Sequence, residues 1–351
     1  MRAIAFDRPG GPVTVRDLPA PAAPDGGVVI RVHATGLCLS DWHGWAGHDP
    51  DIAVFPHVPG HELAGVVEEV GACVVRWQVG DLVTSPFVCG CGTCEWCLAG
   101  DAQVCPDQTQ PGFTHHGSWA ELVVLHAADA NLVAVPDGVS PTAAASLGCR
   151  FATAYRAMAH RARVAPGEWV AVVGAGGVGL SAVMVAAARG GRVVAVDRNP
   201  DALEAARQAG AEHTVLADGS ASAEDVAARL RDLSDGGTHV SLDAVGSETT
   251  CATAVLGLRR RGRHVQVGLL PAGEGHPRVP MDRVIGFELD VLGSHGMSAA
   301  HYPEMLALVA DGTLRPQDLV GQVVDLETAA GLVPGMRDAP RAGMTVLDPR
   351  R

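Results

Sequence analysis

The hexapeptide Gly174-Ala175-Gly176-Gly177-Val178-Gly179 limits what this chain can fold into more than any other stretch. It closes an apolar run, Glu168–Val173, of the length of a buried strand, and opens an Ala-rich helical stretch, Leu180–Arg189. The pattern G-x-G-x-x-G is weak alone but has a mechanical meaning between a strand and a helix. Gly174 permits a tight turn, Gly176 lets backbone approach a pyrophosphate, and Gly179 lets the helix pack close to the sheet. The helix N-terminus offers free N–H groups to the anion. Asp197 follows the next strand-like run, Arg192–Val196. A carboxylate there accepts hydrogen bonds from a ribose diol and repels a 2′-phosphate, which favours NAD over NADP. Arg198, directly after it, could stack on adenine or meet a phosphate.

The same alternation continues. Helices are predicted at Asp201–Ala209, Ala223–Leu233 and Thr249–Leu258, with strands at Val240–Ala244 and Arg263–Gly268. Strands alternating with helices imply an α/β domain, a doubly wound parallel sheet. Residues before Cys149 have another texture. Short strand-like runs (Gly27–His33, Gly65–Val70, Asp81–Thr84, Ala120–Leu125) are punctuated by Gly and Pro turns, which predicts a β-rich domain. The tail resumes with a strand at Leu289–Gly293 and a helix at Pro303–Ala310.

The 351 residues carry a net charge of −13 and no lysine. That balance argues against a nucleic-acid surface, and the missing lysine excludes Schiff-base chemistry and Walker-type phosphate binding. The single basic run, Arg259-Arg260-Arg261 with Arg263, is expected at a solvated helix C-terminus. No apolar run is long enough to span a bilayer, and Met1-Arg2-Ala3-Ile4 leads straight into Asp7 and Arg8, so a soluble, cytoplasmic protein is expected.

Five of the nine cysteines fall between Cys89 and Cys105. Cys91-x2-Cys94-x2-Cys97-x7-Cys105 gives four thiolates that can wrap one zinc in a closed, structural site. Cys89 could replace Cys91, although the regular spacing favours Cys91. Upstream lie Cys38, Ser40-Asp41-Trp42-His43 and Gly60-His61-Glu62, and Cys149 stands where the texture changes. Cys38, His61 and Cys149 would make a Cys2His set with a fourth position open, the pattern of a catalytic zinc. Cys73 and Cys251 are assigned to packing.

Gly36-Leu37-Cys38-Leu39-Ser40-Asp41-Trp42-His43, Pro59-Gly60-His61-Glu62, the four-cysteine lobe, and Gly174–Gly179 with Asp197 occur in the order of one family. The chain resembles the zinc-containing medium-chain dehydrogenases/reductases, the alcohol dehydrogenase family, over essentially its whole length. The resemblance implies a GroES-like catalytic domain over residues 1–150, a Rossmann domain over 151–290, and a C-terminal segment, 291–351, completing the first. It implies two zinc ions and NAD(H), with NADP(H) less favoured, and a homotetramer ahead of a homodimer. The implied activity is reversible hydride transfer between a primary or secondary alcohol and NAD.

Roles follow by resemblance. Cys38, His61 and Cys149 match the catalytic zinc ligands. Glu62 matches a carboxylate that can join the metal during the cycle. Asp41 matches the acid that orients the ligand histidine, and Ser40 with His43 matches a proton relay. Thr153 and Val178 match positions near the nicotinamide, and Val267-Gly268-Leu269 resembles the strand end that meets its carboxamide. Phe87 falls on a substrate-pocket wall, and Trp45, Phe113 and Trp119 hint at apolar lining. Two departures stand out: Met344 in Arg341-Ala342-Gly343-Met344, where a basic residue is common, and His295, whose role is open. Rival readings are a polyol or amino-alcohol dehydrogenase, a C=C or C=N reductase, and a non-enzymatic NAD-binding regulator.

Overall fold

The computed structural model describes residues 1–270, 276–337 and 343–351. The chain divides into two units, Met1–Ala152 with Gly296–Arg351, and Thr153–His295. The boundaries read from sequence, 150/151 and 290/291, fall slightly earlier. The second shifts because residues 290–293 are a strand of the second unit's sheet, as shown below.

In the first unit, β1 (Val28–Leu37) and β2 (Leu63–Val70) form the centre of a seven-stranded sheet. All but one of its pairings are antiparallel; Val320–Val324 and Met344–Leu347 run parallel. β1 is longer than the predicted Gly27–His33 because its second half, through Leu37, is also buried and paired. The register pairs Thr35 with Leu63, so the end of β1 meets the start of β2. Cys38 follows one and His61 precedes the other, which brings them to one edge of the sheet. Helix α1 (Leu39–Trp45) begins directly after Cys38. Val28, Ile30, Leu63, Val67 and Leu125 pack one core, and Ile4, Trp119, Leu326, Val333 and Leu347 a second. The C-terminal segment therefore supplies core to this unit.

The second unit holds a parallel sheet of β3 (Trp169–Val173), β4 (Arg192–Asp197), β5 (His213–Leu216), β6 (Thr238–Asp243), β7 (Leu258–Gln266) and β8 (Asp290–Gly293). Their spatial order is β5-β4-β3-β6-β7-β8. The order reverses between β3 and β6, and open α/β sheets bind ligands at the carboxyl ends beside such a reversal. All five residues of β3 are buried, as its apolar run requires. Helix α2 (Gly177–Ala188) starts inside the glycine hexapeptide rather than after it. β5 escaped the sequence reading because it is short and only Val215 in it is buried.

The basic run also differs from expectation. Arg259–Arg261 lie within β7, at a bulge opposite Thr238–Val240, and not at a helix end. Each charge has a local partner: Arg259 meets His239, Arg260 stacks on Phe287, Arg261 pairs with Glu288, and Arg263 with Glu168. Among the described residues, no helix is long and apolar enough to cross a membrane. Cys251 is buried as expected, but Cys73 is exposed, because it sits in the turn leaving β2.

Leu230 is fully buried against Trp169, Val194 and Ala254. Leu230→Ala should cost roughly 2–5 kcal/mol, as large-to-small core changes do. Urea unfolding followed by circular dichroism measures it; an unchanged midpoint would contradict this packing.

Candidate functional site

Asp41 organises the first cluster. It is the third residue of α1, and its carboxylate accepts from the Cys38 backbone N–H at 2.9 Å, so it caps the helix it belongs to. The other oxygen accepts from Gly60 N at 3.0 Å and from His61 Nδ1 at 3.0 Å. In the neutral imidazole, Nδ1 donating to Asp41 leaves Nε2 with the lone pair. That atom is buried and has no hydrogen-bond partner. It lies with the Cys38 and Cys149 sulfurs in a group whose ligand atoms are all within 4.8 Å of one another. An orphaned imidazole nitrogen beside two thiols fits a soft cation such as zinc. Hydrogen bonding from Cys149 holds the Cys38 thiol well below the usual range, and Cys149 rises in turn.

Glu62 stands outside this set of three, and Arg150 holds its carboxylate. Arg150 donates from Nε to one carboxylate oxygen at 3.0 Å and from Nη2 to the other at 2.5 Å, and its backbone N–H adds a third bond at 3.1 Å. Both oxygens are occupied in a buried ion pair. Phe87 and Phe113 flank the His61 ring, with centroids at 6.0 and 5.2 Å. Trp119 is instead core, its Nε1 donating to Gly36 O, and Trp45 packs on the same core and donates to Gly11 O. Ser40 Oγ stands 3.7 Å from the Cys38 sulfur, and His43 is exposed one turn along α1.

The second cluster is local. The sulfurs of Cys91, Cys94, Cys97 and Cys105 lie within 4.8 Å of one another, with Cys91–Cys97 at 4.0 Å and Cys94–Cys105 at 3.7 Å. Tetrahedral zinc with bonds of about 2.3 Å needs sulfurs roughly 3.8 Å apart. Backbone amides point at three of the sulfurs, Cys94 N at Cys91, Cys97 N at Cys94 and Cys91 N at Cys105; hydrogen bonds from Thr93 and Cys94 bring Cys91 down to about 6, while burial pushes Cys97 up to about 12 and raises Cys105. Cys89 is outside the cluster. It is paired through its backbone with Thr109 and buried among Val28, Leu63 and Val123, where burial pushes its thiol to about 12.

The third constellation lies at the carboxyl ends of β3, β4, β6 and β7. A Cβ on Gly179 would stand 1.7 Å from Gly174 O, so the helix can approach the strand only as glycine. Space beside Gly176 is open, and α2 starts there without a side-chain cap, leaving its N–H groups for an anion. Asp197 closes β4 and accepts from Ala175 N at 2.6 Å and Asn199 N at 2.8 Å; Arg198 is exposed. Val178 is half-buried and Thr153 buried. Val267 and Gly268 donate to Asp243 O, while Leu269 is exposed. His295 is exposed at the end of this unit, and Arg341 and Ala342 lie outside the described residues.

Residues 24–137 match the family model for the alcohol dehydrogenase GroES-like domain, and residues 177–311 that for zinc-binding dehydrogenase. An alcohol dehydrogenase of Geobacillus stearothermophilus is 34% identical over 90% of each chain. The chain belongs to the zinc-type medium-chain alcohol dehydrogenase family. An NAD-dependent alcohol dehydrogenase of Sulfurisphaera tokodaii is 30% identical over 99% of this chain and 100% of its own. A solved NAD-dependent alcohol dehydrogenase superposes with a TM-score of 0.88 at 32% identity, over 99% of both chains.

Within this family frame, two charged residues carry more of the site than their sequence positions suggested. Arg150 follows Cys149 and clamps Glu62. Asp243 is buried at the end of β6; it holds Val245 N and Gly246 N with one oxygen and Thr250 Oγ1 and Gln266 Nε2 with the other. It thereby fixes the loops after β6 and β7. The signal for Asp243 was a lone acid ending an apolar strand, and for Arg150 a charge inside an apolar helical run.

Cys94→Ala should lower thermal stability strongly and remove one equivalent of metal, because structural zinc contributes to folding directly. Cys89→Ala should leave metal content unchanged. Elemental analysis with a melting curve checks both; metal loss from Cys89→Ala with retention by the Cys91 variant would reverse the assignment.

Proposed function

We propose that this chain is a zinc-dependent alcohol dehydrogenase that moves hydride reversibly between a primary or secondary alcohol and NAD. One observation carries the reading: Cys38, His61 and Cys149 converge as three ligand atoms with no fourth among the described residues, and the buried His61 Nε2 has no hydrogen-bond partner there. Three protein ligands leave a position for substrate, whereas the four cysteines close theirs. Zinc there supplies Lewis acidity toward an alcohol oxygen, and NAD supplies the hydride acceptor.

The protein's own residues do the rest. Asp41 keeps His61 in one tautomer and orientation. Ser40 takes the hydroxyl proton, and His43 carries it toward solvent. Arg150 keeps the buried Glu62 carboxylate in place beside the site. Phe87 and Phe113 form an apolar wall for the substrate carbon. Gly174, Gly176, Gly177 and Gly179 cradle the pyrophosphate, and Asp197 with Arg198 meets the adenosine ribose. Thr153 and Val178 flank the nicotinamide, and the backbone of Val267, Gly268 and Leu269 holds its carboxamide. The four-cysteine lobe takes a second, structural zinc. The proposed assembly is a cytoplasmic homotetramer, a homodimer next.

A panel of primary and secondary alcohols assayed with NAD and NADP tests this. NAD-linked turnover should disappear on chelation and return with zinc; no turnover with any alcohol, or turnover indifferent to metal, refutes it. Asp197→Gly should lower the NAD:NADP ratio of kcat/KM, and a wild-type preference for NADP would overturn the role of Asp197. Ser40→Ala should cost about 10²–10⁴ in kcat, the usual worth of a positioned acid–base group. Its metal content should be unchanged, whereas His61→Ala should lose one zinc; near-wild-type kcat in Ser40→Ala removes the relay.

A further inference from the structure

α1 ends in a complete Schellman cap. Gly47, with φ of +84°, donates to Gly44 O at 3.1 Å, and His48 N donates to His43 O at 3.0 Å. This motif sets the residue three before the cap against the second residue beyond it, normally as an apolar contact. Here those two residues are His43 and His48. Their Nδ1 atoms are 2.9 Å apart, and the ring centroids 5.2 Å. Both rings stand edge-on to Trp42, at 5.1 and 5.6 Å, which fixes their planes. The glycine is required, since a side chain there would meet Pro9 at 2.9 Å and have to adopt a left-handed backbone.

We propose that His48 is the outer station of the proton relay, receiving the proton from His43 and releasing it to water. The inference rests on the relay reading of Ser40 and His43 and extends it by one residue. Two imidazoles joined through Nδ1 atoms hold a single proton between them, so one is donor and the other acceptor. Before transfer, His43 carries hydrogen on Nδ1 and is bare at Nε2, while His48 is bare at Nδ1 and carries hydrogen on Nε2. The proton leaving the alcohol hydroxyl through Ser40 arrives at His43 Nε2. The shared hydrogen moves from His43 Nδ1 to His48 Nδ1, and His48 releases its Nε2 hydrogen to solvent. One proton enters and one leaves. The electron pair of the C–H bond goes with the hydride to the nicotinamide, so the pair of histidines handles protons only. His48 touches neither substrate nor cofactor: it positions the His43 ring and takes its proton.

The surroundings suit that task. His43 is held below the usual histidine range, first by burial, then by His48 and by Arg337, against a smaller opposing pull from Cys38. Arg337 sits over the Trp42 ring at 5.3 Å, on the turn that follows the last helical segment. Both histidines are exposed in this unit, so water reaches the outer ring.

The test uses the zinc-loaded enzyme with NAD and compares wild type, His48→Gln and Ser40→Ala. Glutamine can keep a hydrogen bond to His43 but cannot carry a proton. In alcohol oxidation the pair must be neutral to accept, so kcat falls as pH drops through its pKa. His48→Gln should lower kcat at neutral pH roughly tenfold, less than the 10²–10⁴ of a whole acid–base step because water substitutes in part. Its acid limb should move to higher pH, since His43 loses a neighbour that opposes its charge, and imidazole buffer should restore most of the rate. KM for alcohol and zinc content should not change. Proton–nitrogen correlation NMR of the imidazoles gives a readout independent of turnover: the His43 Nδ1 resonance should shift in His48→Gln and its titration lose the coupling seen in wild type. If Ser40→Ala is slow but His48→Gln keeps wild-type kcat, acid limb and His43 resonance, the relay ends at His43 and the proposal is wrong. If neither variant is slowed, the relay itself is absent, and the proposal goes with it.

Discussion

The carboxylate of Asp41 ties together the two chain segments that the register of β1 and β2 brings to one sheet edge. One oxygen caps the helix that follows Cys38; the other holds both the backbone at Gly60 and the imidazole of His61. It is buried, so each bond matters: a carboxylate out of water must be satisfied, and here three N–H donors satisfy it. The same contacts that make the ion tolerable also fix the His61 tautomer. An imidazole that could turn would lose the convergence with Cys38 and Cys149. That convergence therefore depends on how one buried charge is neutralised.

The pattern repeats. Glu62, also buried, is neutralised by Arg150 through two side-chain bonds and one backbone bond. Gly36 has no side chain because a Cβ there would stand 2.0 Å from a Glu62 oxygen. In the second unit Asp243 is satisfied by two amides, a hydroxyl and a side-chain amide, and so ties together the loops at the carboxyl ends of β6 and β7. Three buried carboxylates, each surrounded by its own hydrogen-bond set, make rigid what strands and turns alone would leave adjustable. Polar networks of this kind favour one arrangement strongly, because a half-satisfied alternative is costly.

The two kinds of cysteine show how environment separates chemistry from packing. Cys91, Cys94 and Cys105 receive amide hydrogens in a turn-rich loop where Cys91, Cys94 and Cys97 are half-buried and Cys105 is buried. Cys89, two residues away, faces the sheet core and has only apolar neighbours beyond its contact with Pro86 O. Cys89 sits at an isolated β-bridge facing the core, and the loop that carries the four clustered thiols begins after it. Burial without donors raises a thiol's pKa and keeps it inert; donors lower it and ready it for a cation.

What the sequence determined by itself was local. The four-cysteine lobe and the glycine hexapeptide were legible because every residue of each lies within a few turns of chain, where spacing sets geometry directly. The strand–helix alternation gave a parallel sheet for the same reason. The meeting of Cys149 with Cys38 and His61 was suggested by ligand chemistry and by resemblance, not by spacing, since no spacing encodes a contact across more than eighty residues. Strand order, the capture of Glu62 by Arg150, and the role of Asp243 as a loop anchor were decided by the tertiary structure, which alone sets which buried charge faces which partner. The His43–His48 pair lies between these cases. Its spacing is local, but its meaning depends on Gly47 taking a left-handed turn, and a glycine in sequence permits that conformation without requiring it. The physical reason is general to this chain: short-range geometry follows from covalent connectivity, while long-range polar pairing follows from register and burial, which only the folded sheets supply.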